Sequence, residues 1–276
     1  MLLNNLKTTL LMGGLMGLCL AIGYAFGGPD MMVWAFLIGG VMNLVAFFFS
    51  DKIALATMRA KPVGENDDPV LIDMIEDLAL KAKLPMPRVY VSPAQAPNAF
   101  ATGRSPRHSA VCVTEGLRNM LNAQELEGVL AHELAHIKHR DVLISTIAAI
   151  VAGAIMMLSR FAFFFGGSGD NRRGNPLMAL VIMILAPIAA MLIQMAISRS
   201  REYEADRFGA ELAGSGRGLA NALAKLEAGS KKIPLRVPDT QANMFIVQPL
   251  TGSRVMKLFM THPPTQERIA RLAKMG

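Results

Sequence analysis

Apolar positions gather into four long blocks, roughly Leu10–Phe26, Met31–Phe49, Val142–Phe165 and Leu177–Ser198. Each is close to the ~20 residues that a helix needs to cross a hydrocarbon core. Buried core helices are the competing reading, but four runs almost free of charge favour a membrane. The first block, with Lys7 as its basic flank, has the outline of a signal peptide. The second block begins only a few residues later, so a hairpin of two spans is the simpler account. The pattern divides the chain into a transmembrane hairpin (1–50), a polar part (51–141), a second hairpin (142–198) and a polar tail (199–276).

The polar parts carry shorter periods. Asp68–Leu84 reads as an amphipathic helix with Leu71, Ile72, Ile75, Leu78 and Ala79 on one face. Pro87–Val91 and Ala110–Thr114 are β-prone runs set off by Pro, Gly and Ser signals, with Asn98-Ala99-Phe100-Ala101-Thr102-Gly103 between them. Asn122 looks like an N-cap, and Glu125 stands three residues on, in the capping-box position. The helix it opens is expected to run through Ala131–His139 and merge into the third span. The fourth span is expected to run on into Glu202–Ala210. Residues 228–252 read as a loop, and Thr265–Lys274 as a short helix after Pro263-Pro264. The expected fold is a mainly α membrane protein of four transmembrane helices with an α+β part built around a small β-sheet.

Composition sharpens this. Hydrophobic residues make up 52% and charged residues 18% of the chain, and the mean hydropathy is +0.36, too apolar for an ordinary soluble domain. Cys19 lacks the small preceding residue expected of a lipidated cysteine, and Cys112 lies far from it. No disulfide framework is implied, which fits a reducing compartment. The net charge of +7 is carried partly by residues flanking the spans. Lys52, Arg59 and Lys61 follow the second span, and Arg199 and Arg201 the fourth, whereas the turn Gly27-Gly28-Pro29-Asp30 has no positive charge. The positive-inside rule then places both termini and 50–141 in the cytoplasm. Arg172 and Arg173 against Asp170 vote weakly the other way. No basic stripe with interleaved aromatics appears, so nucleic acid is not an expected partner and the lipid bilayer is.

The candidate chemistry is concentrated in His132-Glu133-Leu134-Ala135-His136, an H-E-x-x-H motif. On a helix, positions i and i+4 share a face, so both imidazoles can bind one zinc ion. Glu133 stands beside them, where it can take a proton from an attacking water. Two histidines on a polar helix face are the plainer alternative.

A catalytic zinc takes three protein ligands and keeps one open position. No third histidine follows at the spacing of the H-E-x-x-H-x-x-G-x-x-H class. Glu202-Tyr203-Glu204-Ala205-Asp206 supplies the candidate: Glu202 and Asp206 share a helix face and Glu204 points away. Glu202 would bind the metal, and Asp206 would accept a hydrogen bond from the far ring nitrogen of a ligand histidine, His132 being the expected one. An exposed acidic pair near Arg199 and Arg207 is the alternative. Position favours the metal. His136 stands shortly before the third span and Glu202 shortly after the fourth, so straight helices would put both roughly 6–9 Å beyond the same membrane face. His139 is read as a polar residue at the membrane edge, His108 as structural, and His262 as a histidine rigidly placed before Pro263-Pro264.

With these residues in view, the sequence resembles the HtpX family of membrane-integral zinc peptidases and, more distantly, the CaaX prenyl proteases. The likeness covers nearly the whole chain. It includes both hairpins, Asn98–Gly103, His132–His136 with Arg140-Asp141, Arg201–Asp206 and Thr261-His262-Pro263-Pro264-Thr265. It implies a zincin-type catalytic domain with one zinc per chain and Glu202 as third ligand. It also implies an edge strand at 98–103 that presents Asn98, Ala99 and Phe100 to substrate, and a catalytic His262 that could stabilise the oxyanion. A bacterial inner-membrane location and quality control of membrane proteins under stress are implied in the same way.

The expected activity is hydrolysis of internal peptide bonds in polypeptide substrates, membrane proteins among them. An intramembrane protease of the site-two type would set its H-E-x-x-H inside an apolar span, but Lys138, His139, Arg140 and Asp141 follow this motif at once. A non-catalytic zinc-binding membrane protein or transporter would need no poised base beside the ligands.

Overall fold

The computed structural model of the protein describes residues 2–141, 199–230 and 263–276. The third and fourth apolar blocks, most of the 228–252 segment and His262 lie outside these residues.

The first two blocks form one helical run, α1, over Leu2–Thr57. Its sense breaks at Gly28, with φ +67, a conformation that glycine adopts at little cost. Pro29 follows with no N–H to continue the ladder. The chain turns back there: the Met16 Cε lies 3.8 Å from where a Cβ on Gly40 would stand. In a straight helix those residues would be roughly 36 Å apart. The second arm exposes large apolar side chains, including Trp34 (61%), Val41 (59%) and Leu44 (59%), a surface that calls for an apolar covering. Among the described residues no helix is long and apolar enough to cross a membrane; many side chains of the first arm are not among them.

The foot of α1 is anchored on a four-stranded sheet of order β1-β2-β4-β3. The strands are β1 (Lys61–Pro62), β2 (Arg88–Ser92), β3 (Ala99–Gly103) and β4 (Ser109–Thr114). β2 and β4 are parallel, and β1 and β3 run antiparallel to their neighbours. Asp51 receives the Arg88 guanidinium at 2.6 Å, and the Ser92 hydroxyl donates to the Met58 carbonyl. The sheet is covered on both faces, and the period of two sorts its residues. Phe100, Ala110 and Cys112 meet Ala54 and Leu55 of α1, while Ala99, Val111 and Val113 face the main core. Burial pushes the Cys112 thiol up to about 12, so it is inert at neutral pH.

The main core is helical. α2 (Pro69–Lys81) buries Leu71, Ile72, Ile75, Leu78 and Ala79 behind its N-cap Asp68, the face its spacing predicts. α3 (Glu115–Met120) and β1 are too short to show a period in the sequence. α4 (Ala123–His139) carries the H-E-x-x-H residues. Residues 199–213 are the described part of α5, followed by α6 (Arg217–Ser230) and α7 (Thr265–Leu272). α4 does not merge into the third apolar block as expected. Arg140 takes the left-handed conformation, φ 59 and ψ 34, and caps the helix by bonding back to its last carbonyls, the αL way of ending a helix.

The start of α4 is secured by a complete capping box. The Asn122 side chain accepts from Glu125 N, and Glu125 accepts from Asn122 N, each at 2.9 Å. Lys225 of α6 reaches the same Glu125 carboxylate at 2.7 Å. Burial pushes the Glu125 carboxyl up, but Lys225 and the Asn122 N–H outweigh it and hold it below its ordinary value. A depressed folded pKa contributes stability that is present above the unfolded value of about 4.3 and is lost as pH falls through the folded value. Asn122→Ala should lower stability by about 1 kcal/mol. Glu125→Gln should flatten the acid side of a plot of melting temperature against pH.

Candidate active site

α4 and α5 cross with almost no space between them. A Cβ on Gly209 of α5 would stand 3.0 Å from the His132 backbone nitrogen, so a larger residue would push the helices apart. This contact brings Glu202 and Asp206, which precede Gly209 on the same face, against the histidines of α4. Ligand alignment is thus supported by a backbone approach within the folded domain.

His132 Nε2 and His136 Nε2 are 3.2 Å apart. Glu202 turns one carboxylate oxygen to each, at 3.6 Å from His132 Nε2 and 3.6 Å from His136 Nε2. Ligand atoms 2.0–2.2 Å from a tetrahedral ion are separated by about 3.3–3.6 Å. The cluster fits one zinc-sized cation, and all three ligand atoms lie within 4.8 Å of one another.

The far sides of the imidazoles meet carboxylates. His132 Nδ1 is 3.0 Å from Asp206 Oδ1, and His136 Nδ1 is 3.5 Å from Asp141 Oδ2. Carboxylates there favour the tautomer that presents Nε2 to a metal. Burial disfavours a charged His136, but Asp141, Glu202 and Glu133 outweigh it and raise its pKa to about 9. The site draws in positive charge.

Charge balance points the same way. Glu133, Asp141, Glu202 and Asp206 are all buried, as is Arg268 at 1% exposure, and Arg201 lies 3.9 Å from Asp141. Four buried carboxylates face two guanidiniums, an excess of acidic groups that a divalent cation would offset. Arg268 grips Asp206 through two bonds of 2.7 and 2.9 Å. Asp206 is held down at about 2, because Arg268 and His132 overcome the upward push of burial.

Glu133 is 6% exposed and accepts a hydrogen bond from Ala101 N at 2.8 Å. That N–H belongs to the edge strand β3. Asn98 O accepts from Thr114 N and Asn98 N donates to Thr114 Oγ1, so its backbone is turned toward β4. Antiparallel alternation then turns Phe100 toward β4 as well and leaves Ala99, Ala101 and Gly103 facing the open edge. The Phe100 ring is buried under α1.

The two other described histidines make contacts of their own. His139 packs edge-to-face on Phe208, with ring centroids 5.2 Å apart, and burial lowers its pKa. His108 ends a short 3-10 turn, where its Nδ1 is 3.0 Å from Ser105 Oγ. The structure brings His132, Glu133, His136, Glu202 and Asp206 together. It adds Asp141 and Arg268, which the sequence reading did not place in the site. Asp141 belongs to the family likeness and to the polar run after the motif without a role of its own, and the turn at Arg140 is what returns it to His136. Arg268 has one weak signal in the sequence: Leu272 stands four residues on, on the same helix face.

Comparison with known proteins agrees with this geometry. The model of peptidase family M48 matches residues 65–276. The chain is 51% identical over 280 residues to the Protease HtpX homolog of Pelotomaculum thermopropionicum, covering 99% of this chain and 100% of that protein. The Protease HtpX homolog of Methylibium petroleiphilum is 50% identical over 277 residues, covering 99% and 98%. Among solved structures, S. mikatae Ste24p shares the fold, with a TM-score of 0.54 at 20% identity, over 98% of this chain and 66% of that one. The chain belongs to peptidase family M48, among the HtpX proteases, and is a zinc-dependent metallopeptidase.

Proposed function

We propose that the chain is a membrane-bound endopeptidase in which His132, His136 and Glu202 hold one zinc ion and Glu133 is the general base. The observation that carries this reading is the convergence of the two Nε2 atoms, 3.2 Å apart, with a Glu202 oxygen 3.6 Å from each, one ligand atom per residue lying within 4.8 Å of the others. When bound, the zinc polarises the scissile carbonyl and activates the attacking water near neutral pH. Glu133 takes the proton of that water and returns it to the leaving nitrogen. Asp206 and Asp141 hold the two imidazoles in register. The open edge of β3, with Ala99 on it, receives the substrate as an added strand. Asn98 and Phe100 shape that strand from its β4 side. His262, by family likeness, stabilises the oxyanion.

The bilayer location rests on the four apolar blocks and on the exposed apolar face of α1. The charge pattern supports a bacterial inner-membrane protein with both termini and the catalytic parts, 51–141 and 199–276, on the cytoplasmic side. Substrates are then membrane proteins with exposed cytoplasmic segments, misfolded or damaged ones in stress-related quality control.

The test is digestion of a reporter membrane protein and of casein by the purified full chain in detergent, with products identified by mass spectrometry. Internal cuts, clustered in the exposed segments of the reporter, are expected. Removal of single terminal residues alone would rule out an endopeptidase.

A further inference from the structure

The C-terminal helix α7 looks like a surface element. It is short and highly charged, and its fully buried residues are Arg268 and Leu272, with Ile269 packed partly against the core. Arginine is seldom buried without a task at its head group. At 1% exposure, the Arg268 guanidinium sits where two of the proposed ligands can be controlled at once. One edge of its fork binds Asp206, through Nε to Oδ2 at 2.9 Å and Nη2 to Oδ1 at 2.7 Å. The same Asp206 Oδ1 stands 3.0 Å from His132 Nδ1. Its other arm, Nη1, lies 3.5 Å from Glu202 Oε2. Nη2 is also 3.4 Å from His132 Nε2.

We infer that Arg268 is a positioning residue for the metal centre, acting along two routes from the C-terminal helix. Through Asp206 it fixes the ring of His132. By direct attraction it restrains Oε2 of Glu202, so that Oε1, beside His136, would be the oxygen this carboxylate offers to an ion. The planar fork is what makes this possible: a guanidinium can hold one carboxylate with two parallel bonds and still direct a third N–H elsewhere. It also supplies positive charge beside a crowded group of carboxylates. α7 is thus a strut for the active site and not a trailing tail.

This inference rests on the ligand assignment proposed above, and the experiment separates the two. Arg268→Met alone would leave Asp206 buried and unpaired, with a risk to folding. The informative comparison is therefore Asp206→Asn, which keeps the Arg268 guanidinium beside Glu202, against the double variant Asp206→Asn, Arg268→Met, which removes both charges of the pair. Full-length proteins in detergent are loaded with zinc, and its release to a colorimetric chelator is followed; cobalt-loaded samples give a visible spectrum. Melting of the metal-stripped proteins verifies that each is folded.

Loss of an outer partner lowers metal affinity about 10–100-fold. Asp206→Asn should show a loss of that order. The double variant should release zinc at least about tenfold faster again, with a shifted cobalt spectrum, because the direct hold on Glu202 has gone. Arg268→Lys, which keeps the charge but not the fork, should recover only part of the loss. If the double variant matches Asp206→Asn in both readouts, Arg268 has no direct role and the inference is overturned. If Glu202→Ala holds zinc as tightly as the unaltered chain, it is the ligand assignment that fails.

Discussion

Glu133→Gln is expected to bind one zinc ion per chain and to cleave about 10²–10⁴-fold more slowly than the unaltered protein, the range of a lost general base. The amide is nearly isosteric with the carboxylate and can still occupy the place beside Ala101 N, 2.8 Å away. It cannot take a proton from water. Because Glu133 is not one of the three clustered ligand atoms, zinc content should stay level while kcat falls. Parallel loss of zinc and activity would place Glu133 among the ligands instead. The readout is metal analysis and initial cleavage rate on the same sample.

Glu202→Ala should fail differently. Removing one of three ligands costs more than removing an outer partner, so zinc affinity should drop by more than about 100-fold, and activity should fall with it at limiting zinc. Glu204→Ala serves as the comparison. Two residues further along α5, Glu204 is tied to Arg207 at the surface at 2.5 Å and should retain zinc and activity. The contrast tests the helical spacing on which the third ligand was chosen, in which Glu202 and Asp206 share a face that Glu204 does not.

Much of this centre is legible in the sequence because it obeys local rules. His132 and His136 are one turn apart, Asn122 and Glu125 form a capping box, and Leu71 to Ala79 keep a helical period. Each of these is a relation between residues a few positions apart. Joining Glu202 to the histidines took one further step, a shared helix face at a plausible height. The straight continuation of α4 is not found, because Arg140 ends that helix in the left-handed conformation, and the blocks from which the heights are measured lie outside the described residues; α4 and α5 meet at the close approach of Gly209.

What the sequence hides is long-range. Arg268 meets Asp206 across 62 residues, and nothing in Thr265–Leu272 distinguishes it from the exposed Arg271 three positions on, except that Leu272 follows it one turn later on the same face. Asp141 becomes a partner of His136 only through the backbone turn that precedes it. The edge position of β3 likewise depends on the parallel pairing of β2 with β4, which no local signal announces. The strand register then decides that Ala99 and Ala101 face the open edge while Asn98 and Phe100 turn to β4.

The central claim is that one zinc ion, held by His132, His136 and Glu202, is needed for peptide-bond cleavage. The direct measurement is a titration of zinc into the chelator-stripped full chain, with bound metal and cleavage rate recorded at every point. Activity rising from zero in proportion to bound zinc, and levelling at one ion per chain, is the predicted result. Cleavage by the metal-free protein, or a plateau unrelated to one bound ion, would contradict the account.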